Sequence, residues 1–232
     1  MFSSEQLGGV REAEGSFVSA GKRVAVEEFE PAGGATRPAV LVLHGAGGLA
    51  GAGWAYRETA RALARGGYRA LLVHYFGKRG AGYHPAEINP VDFLGWMNTV
   101  GRAVEYAGRQ QATEARVGLL GVSLGAYLAL SVATQEPRVG AVVACSGGLP
   151  DAFAQGLRRM PPTLVLHGES DPVVPVEEAY KLGRLLREVS PESEVKVYPG
   201  QGHVLGLAAT LDALGRAVAF FGRHLGDKKK AA

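Results

Sequence analysis

Gly121-Val122-Ser123-Leu124-Gly125 stands between an apolar run, Val117–Leu120, and an apolar, alanine-rich stretch, Leu124–Gln135. A G-x-S-x-G pattern at a strand-to-helix turn lifts a serine hydroxyl clear of a sheet. The two glycines remove side chains that would collide at so tight a turn. The N-terminal dipole of the following helix favours negative charge near the serine. A serine hydroxyl alone is a weak nucleophile; a base must take its proton and an acid must orient that base. His203 is the candidate base, in Pro199-Gly200-Gln201-Gly202-His203, a glycine-rich turn after Glu194–Tyr198. Asp171 and Glu169 are the candidate acids, both in His167-Gly168-Glu169-Ser170-Asp171-Pro172, directly after the apolar run Leu164–Leu166. Taken singly, each has an ordinary explanation: a surface loop histidine, or an aspartate before proline in a turn. Together they give the chain order serine, acid, histidine, which differs among the unrelated folds that carry such a relay.

Acyl transfer through a serine also needs two N–H groups aimed at the developing oxyanion. The residue after the nucleophile, Leu124, is one candidate. The other belongs to a loop after an earlier strand, here His44-Gly45-Ala46-Gly47-Gly48, with Ala46 the first choice and Gly47 the second. Tyr75, Phe76 and Tyr83 are the aromatic candidates for lining a substrate pocket, Arg79 (or Lys78) the basic one, and Leu149 and Leu205 the aliphatic ones. Two irregular stretches, Gly77–Pro90 and Gly147–Pro161, would shape that pocket. Trp96 reads as core, and His44 and His167 as histidines bonding backbone near strand ends. The lone Cys145 reads as a small buried hydrophobe. His74, His84 and Asp92 have no metal-ligand spacing, and H-E-x-x-H, C-x-x-C and phosphate-loop patterns are absent, so no metal or organic cofactor is expected.

These residues need a rigid frame. Val40–Leu43, Ala70–Val73, Val117–Leu120, Val139–Ala144 and Leu164–Leu166 read as buried parallel strands. Helical patterns lie between and after them at Trp54–Arg65, Val91–Gln110, Leu124–Gln135, Val176–Val189 and Leu205–His224. Ser16–Glu30 alternates more loosely and reads as one or two antiparallel edge strands. Strands alternating with helices predict a parallel sheet covered on both faces. The 232 residues, 47% hydrophobic and 20% charged, suit one domain spanning 1–232, with 1–14 and 226–232 as flexible termini. The net charge of +3 is scattered, which disfavours nucleic acid as a partner. No run of about 18 apolar residues predicts a membrane span, and the N-terminus lacks a signal-peptide pattern. One cysteine excludes an internal disulfide. A cytoplasmic protein is expected, and a monomer ahead of a dimer, since no heptad seam demands a partner.

The chemistry-bearing segments resemble the α/β-hydrolase superfamily and, within it, the dienelactone hydrolase family. The resemblance rests on the HG-x-G-G loop at His44, the turn at Ser123, LVLHGESDPVVP around Asp171 and GQGHVL around His203, and it covers most of the chain. HG-x-x-D-x-x-V-P is how that family usually presents its acid, so the resemblance assigns the role to Asp171. It implies an α/β-hydrolase fold of about eight mostly parallel strands with helices on both faces and no large cap domain. It also implies hydrolysis through a covalent intermediate. Two departures follow from the residues present. Ser123 stands where the family carries a cysteine nucleophile. Val204, Leu205 and Gly206 follow His203, where the family places an arginine for the substrate carboxylate. A serine behind an HGAGG loop resembles a general carboxylesterase acting on small or short-chain esters. The alternatives are a lactone hydrolase of the dienelactone type and a protein that binds a small ligand in a hydrolase-like pocket.

Overall fold

The computed structural model describes residues 9–33, 38–76, 88–109 and 116–225. Lys78, Arg79, Tyr83 and His84, and most of the stretch Gly77–Pro90, lie outside the described residues.

The chain opens with a hairpin. β1 (Val10–Ser19) and β2 (Lys22–Pro31) pair antiparallel over their whole length. Ala20 and Gly21 join them, both at positive φ (46° and 73°). That turn has the twist two paired strands require. Residues 10–14, expected as part of a flexible terminus, belong to β1: Val10 pairs with Pro31 and Glu14 with Glu27. An edge strand with solvent on much of both faces carries little apolar alternation, and only Val10 and Ser19 of β1 are buried.

The remaining strands are β3 (Ala39–Leu43), β4 (Arg69–Val73), β5 (Val117–Val122), β6 (Val139–Cys145), β7 (Thr163–Gly168) and β8 (Glu194–Tyr198). They complete one eight-stranded sheet in the order β1-β2-β4-β3-β5-β6-β7-β8. β2 is antiparallel to β4, and every neighbouring pair from β4 to β8 is parallel. β3 and β4 are buried at every residue because both sheet faces are covered. Alternation sorts their side chains: Leu41 and Leu43 enter one core, Val40 and Val42 the other. Helices α2 (Pro90–Arg109), α3 (Leu124–Ala133) and α5 (Glu177–Val189) cover the first core. Helices α1 (Gly53–Arg65) and α6 (Leu207–Leu225) cover the second. Phe220 and Phe221 of α6 are fully buried there, each worth about 2–3 kcal/mol against exposure.

The stretch Gly147–Pro161, irregular by its sequence, contains a single helical turn, α4 (Asp151–Ala154). The described residues contain no large cap. No described helix is long and apolar enough to cross a membrane. The loops that follow β3, β5, β6, β7 and β8 leave the carboxyl edge of the sheet, where open α/β sheets bind their ligands.

Candidate active site

Ser123 sits between β5 and α3 with φ 53° and ψ −120°. A serine in that region is strained by about 1–3 kcal/mol and must be held there. Its N–H donates to Cys145 C=O at 2.8 Å, and its C=O accepts from the Ala126 and Tyr127 N–H groups at 2.8 and 3.2 Å. The flanking glycines are demanded by close approach rather than by φ. A Cβ on Gly121 would lie 2.1 Å from Gly125 O, and one on Gly125 would lie 2.3 Å from Leu43 O. The hydroxyl is thereby fixed at the N-terminus of α3.

His203 Nε2 lies 3.0 Å from Ser123 Oγ, and His203 Nδ1 lies 2.8 Å from Asp171 Oδ2. Both bonds form without rearrangement, so the hydroxyl can pass its proton to Nε2 while Nδ1–H points at the carboxylate. The Asp171 side chain is fully buried and the His203 side chain 20% exposed. Burial alone would raise the Asp171 pKa. The Val174 and Val173 N–H groups on Oδ1 (2.9 and 2.8 Å) and His203 on Oδ2 outweigh it and hold the carboxyl below its usual range. His167 stands behind the acid. Its Nε2–H donates to Val174 C=O at 2.9 Å and lies 3.4 Å from Asp171 Oδ2, so it fixes the turn that aims the carboxylate.

Glu169 is not brought to the imidazole. Its Oε2 accepts from Gly200 N–H at 3.1 Å, tying the acid turn to the histidine turn. Ser170 N–H adds a second tie to Gln201 C=O at 2.8 Å. The two turns pass so closely that a Cβ on Gly168 would lie 2.3 Å from Gly202 O.

The loop after β3 runs beside Ser123: a Cβ on Gly45 would lie 3.3 Å from Ser123 Cβ. Gly48 N–H closes a turn on Gly45 C=O at 3.0 Å, with Ala46 and Gly47 at its tip. Ala46 is half-buried and Gly47 exposed. Leu124 is the first residue of α3, directly after the serine.

The dienelactone hydrolase family model matches residues 26–225. The chain belongs to the dienelactone hydrolase family. This family member aligns with acyl-protein thioesterase 1 of Gibberella zeae at 30% identity over 121 residues, 49% of this chain and 50% of that protein. The match thus spans about half the length of that relative. Among solved structures it resembles a dienelactone hydrolase from Anabaena variabilis (TM-score 0.75, 20% identity, 94% of this chain and 100% of that one). It also resembles an esterase from Pyrococcus furiosus (TM-score 0.72, 18% identity, 93% of this chain and 94% of that one). At these identities the structural likeness shows the α/β-hydrolase fold.

The expected pocket residues of this family member separate. Tyr75 is no wall of an open cleft. It is 3% exposed because it continues the alternation of β4 on the side of Val73, into the first core, and its hydroxyl donates to His44 C=O. Phe76 packs half-buried against the same core, its ring 4.7 Å from those of His44 and Trp96. Leu149 is 4% exposed and lines a pocket of about 170 Å³ with Ala154, Leu182 and Leu185, Glu178 and Lys181 joining the lining. Leu205 packs half-buried against the second core, as Tyr56 does. A wider groove of about 400 Å³ is lined by Arg102, Glu105 and the C-terminal end of α3. It holds none of the candidate residues. Trp96 is core, and His44 and His167 bond backbone carbonyls. Burial pushes the Cys145 thiol up to about 11, so it is no thiolate at neutral pH. Among the described residues no cluster of three or more metal-binding side chains occurs.

Sequence reasoning missed Ser146 and Tyr56. Ser146 is fully buried at φ 52°, and its hydroxyl donates to His203 C=O at 3.1 Å. Nothing in Cys145-Ser146-Gly147-Gly148 marks that role, since its partner is 57 residues away. Tyr56 accepts the Gly45 N–H at 2.9 Å; its place on the first turn of the helix after the glycine-rich loop was the available signal.

Proposed function

We propose that the protein is a carboxylesterase that cleaves small or short-chain esters through an acyl-enzyme on Ser123. One observation carries this reading: a continuous hydrogen-bonded chain from a strained Ser123 through His203 to a buried, depressed-pKa Asp171. His203 Nε2 takes the hydroxyl proton as Oγ attacks the ester carbonyl. Asp171 holds the Nδ1–H tautomer and stabilises the imidazolium that forms. The N–H groups of Leu124 and Ala46, with Gly47 next in line, receive the oxyanion, each such donor being worth about 3 kcal/mol in the transition state. His203 then protonates the leaving alcohol. Water repeats the sequence and releases the acid, restoring the serine. No step calls for a metal or organic cofactor.

Membership of the dienelactone hydrolase family favours a second reading, hydrolysis of small lactones by the same steps. Hydrolysis of p-nitrophenyl esters from acetate to dodecanoate, beside small lactones, separates the two. Short esters turned over by the wild type, with Ser123→Ala folded and inert, support the esterase. Turnover of lactones with little of the open-chain esters selects the second reading. Tight binding of such compounds with no product from either protein refutes both and leaves a ligand-binding pocket.

A further inference from the structure

The loop proposed to hold the oxyanion hangs from one peptide plane, that between His44 and Gly45. Its two polar groups point in opposite directions, and a phenol meets each. Tyr75 Oη–H donates to His44 C=O, while Gly45 N–H donates to Tyr56 Oη at 2.9 Å. The two tyrosines come from different elements and opposite sides of the sheet. Tyr75 follows β4 and is buried in the first core, its ring stacked on the His44 imidazole at 4.1 Å and 11°. Tyr56 stands on α1 and packs against the second core. The next peptide is held as well: Gly45 C=O accepts from His44 Nδ1–H at 2.9 Å and from Gly48 N–H at 3.0 Å. Fixing that carbonyl fixes the opposite end of its plane, the Ala46 N–H. A glycine suits position 45, because a Cβ there would press on Ser123 Cβ at 3.3 Å. A glycine leaves its flanking peptides the freest to rotate. Contacts from outside the loop therefore reinforce the two bonds that the loop makes to itself.

We propose that Tyr56 and Tyr75 form a clamp on the His44–Gly45 peptide, positioning residues that preset the Ala46 N–H toward the oxyanion on Ser123. Neither phenol touches substrate in this role. Burial raises both hydroxyls above the usual tyrosine range, Tyr75 well above, so both stay protonated through the range of an esterase assay. Burial also lowers His44 to about 4, so its imidazole stays neutral there. The clamp rests on the esterase reading and adds to it a source of preorganisation, which acts in the transition state rather than in substrate binding.

The test is a double-mutant cycle with Tyr56→Phe and Tyr75→Phe, which keep the rings and remove only the hydroxyls. Each single variant is expected to lose about tenfold in kcat on p-nitrophenyl acetate with KM unchanged, a fraction of what deleting a donor outright costs. Affinity for a trifluoromethyl ketone, whose adduct on Ser123 carries the oxyanion, is expected to fall by the same factor. One plane is released once, so the double variant is expected to lose little more than the worse single. Losses that multiply in the double variant overturn the clamp, since two independent contacts behave that way. Unchanged kcat and ketone affinity beside a lowered Tm overturn it too, as the mark of a purely structural role. Tyr56 is half-buried, so Tyr56→Phe keeps the comparison open where Tyr75→Phe fails to fold. Failure of the esterase reading looks different: the wild type itself then neither cleaves esters nor forms the ketone adduct, and the clamp falls with it.

Discussion

Asp171→Asn exchanges one carboxylate oxygen for an NH2 group, and the surrounding N–H groups dictate which. Oδ1 accepts from Val173 and Val174 N–H at 2.8 and 2.9 Å. An amide nitrogen cannot accept either bond, so the asparagine must place its oxygen there. Its NH2 then occupies the Oδ2 position, 2.8 Å from His203 Nδ1. Two donors cannot face each other, so the imidazole must present a bare Nδ1 and carry its proton on Nε2. Nε2 is the atom 3.0 Å from Ser123 Oγ that must accept the hydroxyl proton. The geometry survives and the tautomer is wrong. Where the same exchange has been made in a serine protease, kcat falls about 10⁴-fold. A loss of about 10³–10⁴ is expected here, or about 4–5 kcal/mol of barrier. Substrate contacts are untouched, so KM is expected to hold. The assay is p-nitrophenyl acetate hydrolysis near neutral pH, with circular dichroism and thermal melts to establish folding. A folded variant keeping more than about a tenth of wild-type kcat refutes the reasoning: His203 would then need no particular tautomer, and some other group would be taking the serine proton.

Two further predictions concern strain and acid stability. Ser123→Gly is expected to be inactive yet more stable by about 1 kcal/mol, because glycine adopts φ 53° without penalty; a calorimetric Tm no higher than wild type would show that no strain is held at the turn. His44 is neutral when folded, burial lowering it from 6.5 to about 4, so the unfolded chain binds the extra proton between those values. Its contribution, about 3 kcal/mol, is full above pH 6.5 and lost as pH falls to 4. Urea melts at pH 7 and 4.5 should show that loss in the wild type and its absence in His44→Gln; equal losses in both would place the titration elsewhere.

Residues that stand in a local sequence pattern were readable from the chain, even where their partners are distant; residues without such a pattern were not. Gly121 is required by its close approach to Gly125, a contact the turn itself creates, while Gly125 is required by the end of β3 at Leu43 and is announced only through its place in the same five-residue pattern. The acid was harder. Asp171 and Glu169 both follow β7, and two residues of turn separate an oxygen aimed at His203 from one bonded to Gly200. The residue pattern alone left both open and the family resemblance chose Asp171; in the structure the Val173 and Val174 N–H groups hold its Oδ1 while Oδ2 meets His203. The strand ends show the same division. Alternation along β4 continues past Val73 and sends Tyr75 inward, a signal already present in the sequence.

Ser146 carries the division furthest. It holds the carbonyl of His203, and its positive φ brings Gly147 so close to the elbow that a Cβ there would lie 3.0 Å from Ser123 O. The strained serine and the histidine are thus braced by one residue at the end of β6, the strand that also receives the Ser123 N–H. The proposed nucleophile and base lie 80 residues apart in the chain, and such a brace keeps them within hydrogen-bond distance before substrate binds. Any serine after any strand could supply the hydroxyl. What selects this one is the register of β6 against β5, which sets Cys145 beside Val122, and register is a property of the assembled sheet.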